Sequence, residues 1–571
     1  MENMKNKYTV LKMLIIPLLI SIVIGFNYDN SVNVNTGIKT PELNKVNYAA
    51  ELISKAGNNF NKASIFSISN KDNSKALDEF AKTASFLTLD SKEIKKLYNA
   101  GNKNIILEIP VSTDNNLEIE LTRVNIFSKD FEVKLSDGRK VNYKPGLYYR
   151  GIIKGNSNSI AAVSIFENSV IGIISNEDGD YVLGTIKDKD NNNTSEYIFY
   201  NDKDLKVKSK FRCDVEDSYG KLYKGSSYKH ITTGQKDATS DAIAVYFVAD
   251  YQTYLDAGSN QTNLINFVTG MFNNTALLYN NESIPTEISG FYIHNSADPY
   301  LNYSESFGIL KRIGGIWQDD YPGDLIQLIS TRTDQSFGGI AWVNVLCQSF
   351  NPGDSSGRFS FSNIETSYNN YPTYSWTVHV VTHELGHNVG SMHTHACVWP
   401  VLPSNGIGAI DSCVQAEGTC FTTTRANYNG TIMSYCHIDY AVNFTKGFGP
   451  LPGDTIRYAY SLARCLDSAL NSSELPLAYN LLQNYPNPFN PSTTITFALP
   501  EEGFVTLTVY DITGREVVKL VNNQVYNAGV FKTYFNTTEH SMASGVYLYR
   551  IDVIRNNSSK YSQIRKMVLI K

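Results

Sequence analysis

Three histidines and a glutamate in HELGHNVGSMH, residues 383–393, dictate how the chain around them must fold. Residues four apart on an α-helix share a face, so His383 and His387 present two imidazoles to one point. His393 can join them only if the helix stops and the chain turns back. Gly390 tolerates the positive φ of such a stop. The pattern therefore predicts a helix over YSWTVHVVTHELGHNVG, 374–390, then a turn, and three nitrogens converging on one ion. Three protein ligands leave one position open for water, the arrangement of catalytic rather than structural zinc. Glu384, beside His383, reaches that water without ligating. His379 lies about 12 Å along the axis from His387, too far to share an ion at roughly 2.0–2.1 Å, and reads as a packed residue. His395 competes with His393 as third ligand, and the spacing favours His393.

A chain of 571 residues exceeds what one core organises, so three or four domains are expected. Net charge is -5, and no block of basic residues recurs with interleaved aromatics, which argues against a nucleic-acid partner. Lys5, Lys7 and Lys12 precede an uncharged apolar run from Met13 to Phe26, the order of a secretory signal peptide over residues 1–26. As a helix that run covers about 21 Å, short of the roughly 30 Å of a bilayer core. Exported chains form disulfides, and this one has seven cysteines. Six of them, Cys347, Cys397, Cys413, Cys420, Cys436 and Cys465, share a segment with the histidines, and sequence alone leaves their pairing open. Cys213 is the odd one, upstream and alone.

Residues 40–235 alternate in period two, as in NLEIELTRV (116–124) and IAAVSIF (160–166), and read as a β-rich domain. From about 240 to 472 the texture changes to βα alternation. AIAVYFVAD and GDLIQLIST read as strands, NQTNLINFVTGMFNNTALLYN as a helix and GGIAWVNVLC, 338–347, as a strand. Residues 480–571 begin with the proline-rich YPNPFNPSTTITFALP and continue as alternating strands, the pattern of a small β-sandwich. Asp and Asn in NPGDSSGRFSFSN, 351–363, could hold calcium, although such clusters more often form solvated turns.

HELGHNVGSMH resembles the zinc motif of the metzincin endopeptidases, and TIMSY, 431–435, their Met-turn. YYRGIIKGNSNSIAAVSIFENSVIGIISNEDGDYVLG, 148–184, resembles the propeptide of the adamalysin branch. The resemblance implies a multidomain zymogen: a β-rich pro-domain, an α/β catalytic domain with a mixed twisted sheet and an active-site helix, and one catalytic zinc on His383, His387 and His393. Met433 would form an apolar floor beneath the ion. Glu384 would be the general base in hydrolysis of protein or peptide substrates, with the zinc activating water and polarising the scissile carbonyl. GGIAWVNV would bind substrate backbone as an added antiparallel strand. Tyr435 is similar to a tyrosine that ligates zinc in the astacin and serralysin branches, which implies an oxyanion stabiliser or switch ligand, against a plain pocket wall. Cys213 resembles a cysteine switch, a thiolate filling the open position until the pro-domain leaves, against an unpaired structural or intermolecular cysteine. In YGKLYKGSSYKH, Lys221, Lys224 and Lys229 offer processing points. For the disulfides the adamalysin resemblance implies Cys347–Cys465, Cys397–Cys436 and Cys413–Cys420.

NLLQNYPNPFNPSTTITFALP, YDITGREV, SGVYLYRI and KMVLIK resemble the C-terminal sorting domain of type IX secretion substrates. An adhesive or carbohydrate-binding sandwich is the plainer reading of the same strands. The sorting resemblance implies a partner in the type IX machinery, export through the periplasm of a diderm bacterium, and a secreted or cell-surface product that meets membrane only through its signal peptide or surface attachment. The competing function is a surface-attached non-catalytic binding protein or adhesin on a metzincin scaffold. Loss of Glu384 or of a ligand histidine would have favoured it, and none is lost.

Overall fold

The computed structural model describes residues 47–570 except 72–73, 189–192, 208–211, 214–240, 334–337, 365–369, 403–405, 423–428, 467–478, 485–486, 501–502, 527–528, 538–539, 541 and 555–559. The expected signal peptide and the candidate processing points Lys221, Lys224 and Lys229 lie outside the described residues.

Eleven strands are described before residue 205: β1 (Asn61–Ala63), β2 (Phe66–Ile68), β3 (Ser85–Leu89), β4 (Asn104–Ser112), β5 (Asn115–Val124), β6 (Phe127–Leu135), β7 (Leu147–Ile153), β8 (Ile160–Ile165), β9 (Val170–Asn176), β10 (Gly179–Lys187) and β11 (Asn193–Asn201). Ten form one sheet in the order β1-β4-β5-β7-β8-β9-β10-β11-β3-β2, antiparallel except where β1 meets β4. β6 leaves it. It pairs in parallel with β13 (Thr286–Ile293) of the following domain, as Phe291↔Val133 and Ile293↔Leu135.

That second sheet runs β15-β16-β14-β12-β13-β6, with β12 (Ile243–Ala249), β14 (Leu325–Ser330), β15 (Gly339–Ala341) and β16 (Phe359–Asn363). All its pairs are parallel except β15 on β16, so the expected mixed sheet forms, with its outermost strand borrowed from the upstream region. The helix Gln261–Asn281 lies between the two sheets, and for that reason every residue from Phe267 to Tyr279 is buried. A Cβ on Gly270 would stand 2.9 Å from Ile171 Cδ1 and 3.3 Å from its Cβ, so a larger residue there would have to push Ile171 of β9 aside. The contact is part apolar and part polar. Tyr143 donates to Asn266 Oδ1 at 2.9 Å, and Arg150 Nε to Asn273 Oδ1 at 3.0 Å. One hydrophobic cluster runs through the join, from Ile171, Ile173 and Val182 to Phe247, Met271 and Phe272. Each such side chain contributes roughly 1.5–3 kcal/mol by burial, so the upstream region is an integral part of the fold as it stands here.

The strand expected over GGIAWVNVLC stops after Ala341. Asn344 and Cys347 take φ of 57° and 68°, which breaks extension, and the chain turns to donate from Asn344 N to His387 O at 2.9 Å. Three disulfides close the domain. Cys347–Cys465 is as the resemblance implied, but the other two are Cys397–Cys420 and Cys413–Cys436, which corrects the expected Cys397–Cys436 and Cys413–Cys420. The cause is local. Glu417 N donates to His395 O at 3.0 Å and Cys397 N to Glu417 O at 3.1 Å, which lays the 413–420 loop beside Cys397 and carries Cys420 to it.

In NPGDSSGRFSFSN, Asp354 Oδ1 accepts from Ser356 N at 3.1 Å and Asn351 Oδ1 from Gly353 N at 3.0 Å, so both carboxyl and amide serve their own turn. Toward the C-terminus a three-stranded sheet (Asn480–Leu481, Ser492–Leu499, Gly529–Asn536) and a four-stranded sheet (Gly503–Asp511, Glu516–Tyr526, Gly545–Ile554, Lys560–Leu569) share one core of alternate residues such as Val505, Leu507 and Val509. Among the described residues no helix is long and apolar enough to cross a membrane.

Candidate metal centre

The active-site helix spans Tyr374–Asn388, and Gly390 follows with φ of 106°. Its turn brings His393 back over the helix, so the stop read from the sequence is the one observed. A Cβ on Gly386 would meet Met433 Sδ at 2.8 Å and Phe448 Cε1 at 2.9 Å, so the third residue between the first two histidines suits glycine: the Met433 side chain packs against the helix there.

Each ligand-type histidine is oriented by an acceptor on its Nδ1. His383 donates to Ile432 O at 2.8 Å, His387 to Ser391 O at 2.8 Å and His393 to Glu417 Oε1 at 2.6 Å. These partners hold the proton on Nδ1 and leave the Nε2 lone pairs free to converge. The three Nε2 atoms stand 3.2, 3.1 and 3.1 Å from one another. A triangle of that side has its corners about 1.8 Å from its centre, so an ion close to that centre can meet all three at the roughly 2.0–2.1 Å of a zinc–imidazole bond. Burial, then the neighbouring imidazoles, keep His383 and His387 neutral, His387 with its pKa lowered to about 3. Neutral nitrogens with converging lone pairs are what a metal requires and what hydrogen bonding among themselves cannot satisfy. The donor set fits zinc.

Cys213 completes the set. Its sulfur and the three histidines offer ligand atoms that all lie within 4.8 Å of one another. Cys213 N donates to Tyr435 Oη at 2.8 Å, and that hydroxyl donates to Cys213 O at 2.7 Å, so one phenol clasps the backbone of this residue. Cys213 also bridges Gly339 in parallel, with Gly338 N donating to Arg212 O at 2.9 Å. Glu384 Oε2 lies 3.4 Å from Cys213 Sγ. Any Cβ on Gly339 would collide with Glu384 Oε1, so this glycine is what lets the carboxylate stand beside the sheet edge. His383, Glu384, His387 and His393 are 0% exposed.

The other candidates take different places. His379 Nε2 contacts Ile432 O at 2.9 Å and packs on His437, outside the ligand cluster. His395 stacks on His393 with ring centroids 5.0 Å apart, and its Nε2 lies 2.9 Å from the same Glu417 oxygen that His393 uses. Sequence reasoning missed Glu417. It lies 24 positions from His393, in a loop with no periodic signal, and only its place between two cysteines marked it. Burial opposes its charge, but His393 and His395 hold its carboxyl well below the usual range.

Residues 239–445 match metallo-peptidase family M12, and residues 483–570 match the secretion system C-terminal sorting domain. Among solved structures, metalloproteinase-II from Bacteroides fragilis is 13% identical, over 58% of this chain and 88% of that one, with a TM-score of 0.29. OgpA from Akkermansia muciniphila is 12% identical, over 58% and 94%, with a TM-score of 0.18. The two sequence matches carry the assignment: this chain is a zinc metalloendopeptidase whose residues 239–445 are similar to metallo-peptidase family M12, and its C-terminal match indicates type IX secretion, to the cell surface or the medium.

Proposed function

We propose that the protein is made as a zymogen in which Cys213 occupies the fourth donor position of the metal centre, and that removal of the upstream region frees an endopeptidase acting on extracellular proteins. One observation carries this reading. The cysteine sulfur stands among the three histidine nitrogens and beside Glu384, the place a water between metal and base would take. His383, His387 and His393 would hold the zinc, which when bound supplies Lewis acidity toward water and the scissile carbonyl. Glu384 accepts the water proton and passes it to the leaving amine. Tyr435 Oη, released from Cys213, can donate to the developing oxyanion. Substrate backbone lies antiparallel along β15, whereas the Cys213 segment pairs there in parallel and so blocks the edge without offering a bond in the productive direction. Residues 214–240 are the connection to be cut, export through the periplasm precedes it, and residues 480–571 serve the secretion machinery.

The processed protein, incubated with a mixed peptide pool and read by mass spectrometry, is expected to cut, to stop when zinc is chelated and to resume when zinc is restored. Cutting that survives complete chelation contradicts the metal-dependent mechanism.

Latency should weaken as pH rises. Asp180, on β10, is fully buried and accepts from Phe444 N at 3.1 Å, just after the Met-turn, while Asn443 Nδ2 donates to Asn176 O at 2.8 Å. Burial raises the Asp180 carboxyl from 3.8 to about 7, and desolvation together with the Asp180 charge raises Asp202 beside it. The docked form therefore binds protons more tightly than the free chain. Stability from this contact is full below about pH 4 and is lost as pH rises toward 7. The melting temperature of the unprocessed protein should fall across that window by roughly 2–4 °C per kcal/mol lost, and Asp180→Asn should flatten the fall. An equal fall in the variant sinks the assignment.

A further inference from the structure

We infer that Glu417 is a positioning residue for the metal centre and that the Cys397–Cys420 disulfide holds it there, so that tight zinc binding depends on that disulfide being formed. The inference rests on the zinc reading of His383, His387 and His393.

The three histidines are not oriented alike. His383 and His387 lean on the backbone carbonyls of Ile432 and Ser391, which the Met-turn and the turn after the helix supply without help from any side chain. His393 leans on a carboxylate, at 2.6 Å. An anionic acceptor fixes the tautomer more firmly than a carbonyl and makes the opposite nitrogen a stronger donor to a cation. The same oxygen lies 2.9 Å from His395 Nε2, and the two rings stack with their planes 7° apart, so Glu417 and His395 together set the plane of the ligand ring.

Glu417 itself sits on no helix or strand of length. Its backbone is tied to the His393 side by an isolated bridge between Ala396 and Glu417 and by the two hydrogen bonds with His395 and Cys397. Two covalent links flank it. Cys420, three residues on, joins Cys397, and Cys413, four residues before, joins Cys436, next to Tyr435. Gly418 takes φ of 105°, and a Cβ there would stand 3.2 Å from both Cβ and Sγ of Cys397, so the loop is drawn against the first of these disulfides. With Cys397–Cys420 open, Cys413–Cys436 still ties the start of this short irregular loop, but beyond Glu417 only a few backbone hydrogen bonds remain to hold a part-buried carboxylate between two imidazoles. The third disulfide, Cys347–Cys465, has no part in this arrangement and provides a control.

The test is zinc affinity of the full-length protein by chelator competition, with each variant checked for unaltered far-ultraviolet circular dichroism. Glu417→Gln should weaken zinc binding about 10–100-fold, Glu417→Asp should recover part of the loss, and Cys397→Ala with Cys420→Ala should weaken it comparably. Combining Glu417→Gln with the cysteine pair should add little, because both remove the same contact. Cys347→Ala with Cys465→Ala should leave affinity within twofold. Unchanged affinity in Glu417→Gln overturns the inference. A loss in Glu417→Gln but none in the Cys397/Cys420 pair overturns the role of the disulfide. If the unmodified protein binds no zinc, the zinc reading itself fails, an outcome separate from both.

Discussion

Glu384→Ala in the processed enzyme is expected to lower kcat by roughly 10²–10⁴-fold while zinc content stays the same, the range general acid–base catalysis supplies. The expectation follows from where the carboxylate sits. Glu384 comes one residue after His383 on the active-site helix, so it shares the helix's hold on the metal centre but points toward the sheet edge. There it meets the bare backbone of Gly339 and the Cys213 sulfur at 3.4 Å. The three ligand rings are oriented by Ile432 O, Ser391 O and Glu417 Oε1, so removal of the Glu384 carboxylate should leave the three nitrogens in place. Glu384→Gln keeps the shape and loses the base, and should show the same fall. Zinc content by mass spectrometry and kcat on a peptide identified from the pool provide the check. Near-normal kcat in either variant with zinc bound means that another group takes the proton.

Cys213→Ala should switch on the unprocessed protein. A site closed about 99% of the time gains on the order of 10²-fold in activity when its closing ligand is removed. The gain should remain below that of full processing, because alanine keeps the backbone clasp: Tyr435 Oη still bonds N and O of residue 213, and the bridge to Gly339 does not involve the side chain. Tyr435→Phe separates the two parts of the lock. It should loosen the unprocessed form by releasing the clasp and slow the processed form by removing an oxyanion donor, opposite signs from one hydroxyl. Peptidase rates of the uncut chain, with intactness followed on gels, distinguish these outcomes. An uncut Cys213→Ala protein no more active than the parent contradicts a latency held by sulfur.

The motif at 383–393 was legible because its constraint is local: helical spacing puts two rings on one face, and one glycine permits the return of the third. Met433 and Cys213 could be singled out for related reasons, one from a short turn sequence and one from an odd count of cysteines. What escaped was set by chain segments far apart in sequence. Nothing in FSKDFEVKL says that β6 will leave its own sheet to pair with β13, since its alternation suits either edge. The disulfide pairing turned on a few backbone hydrogen bonds between the 413–420 loop and His395–Cys397. Glu417 carried no spacing relation to His393. GGIAWVNVLC read as one strand because its apolar run is continuous, and only the positive φ at Asn344 and Cys347 shows the chain bending to meet the end of the active-site helix.

The most direct test of the account is X-ray absorption at the zinc edge, on the unprocessed protein and again after processing. The unprocessed form should show three nitrogen donors and one sulfur at about 2.3 Å, with the sulfur lost on processing and absent from Cys213→Ala. A zinc environment without sulfur in the unprocessed chain, or one identical before and after processing, would contradict the claim that Cys213 closes the metal centre.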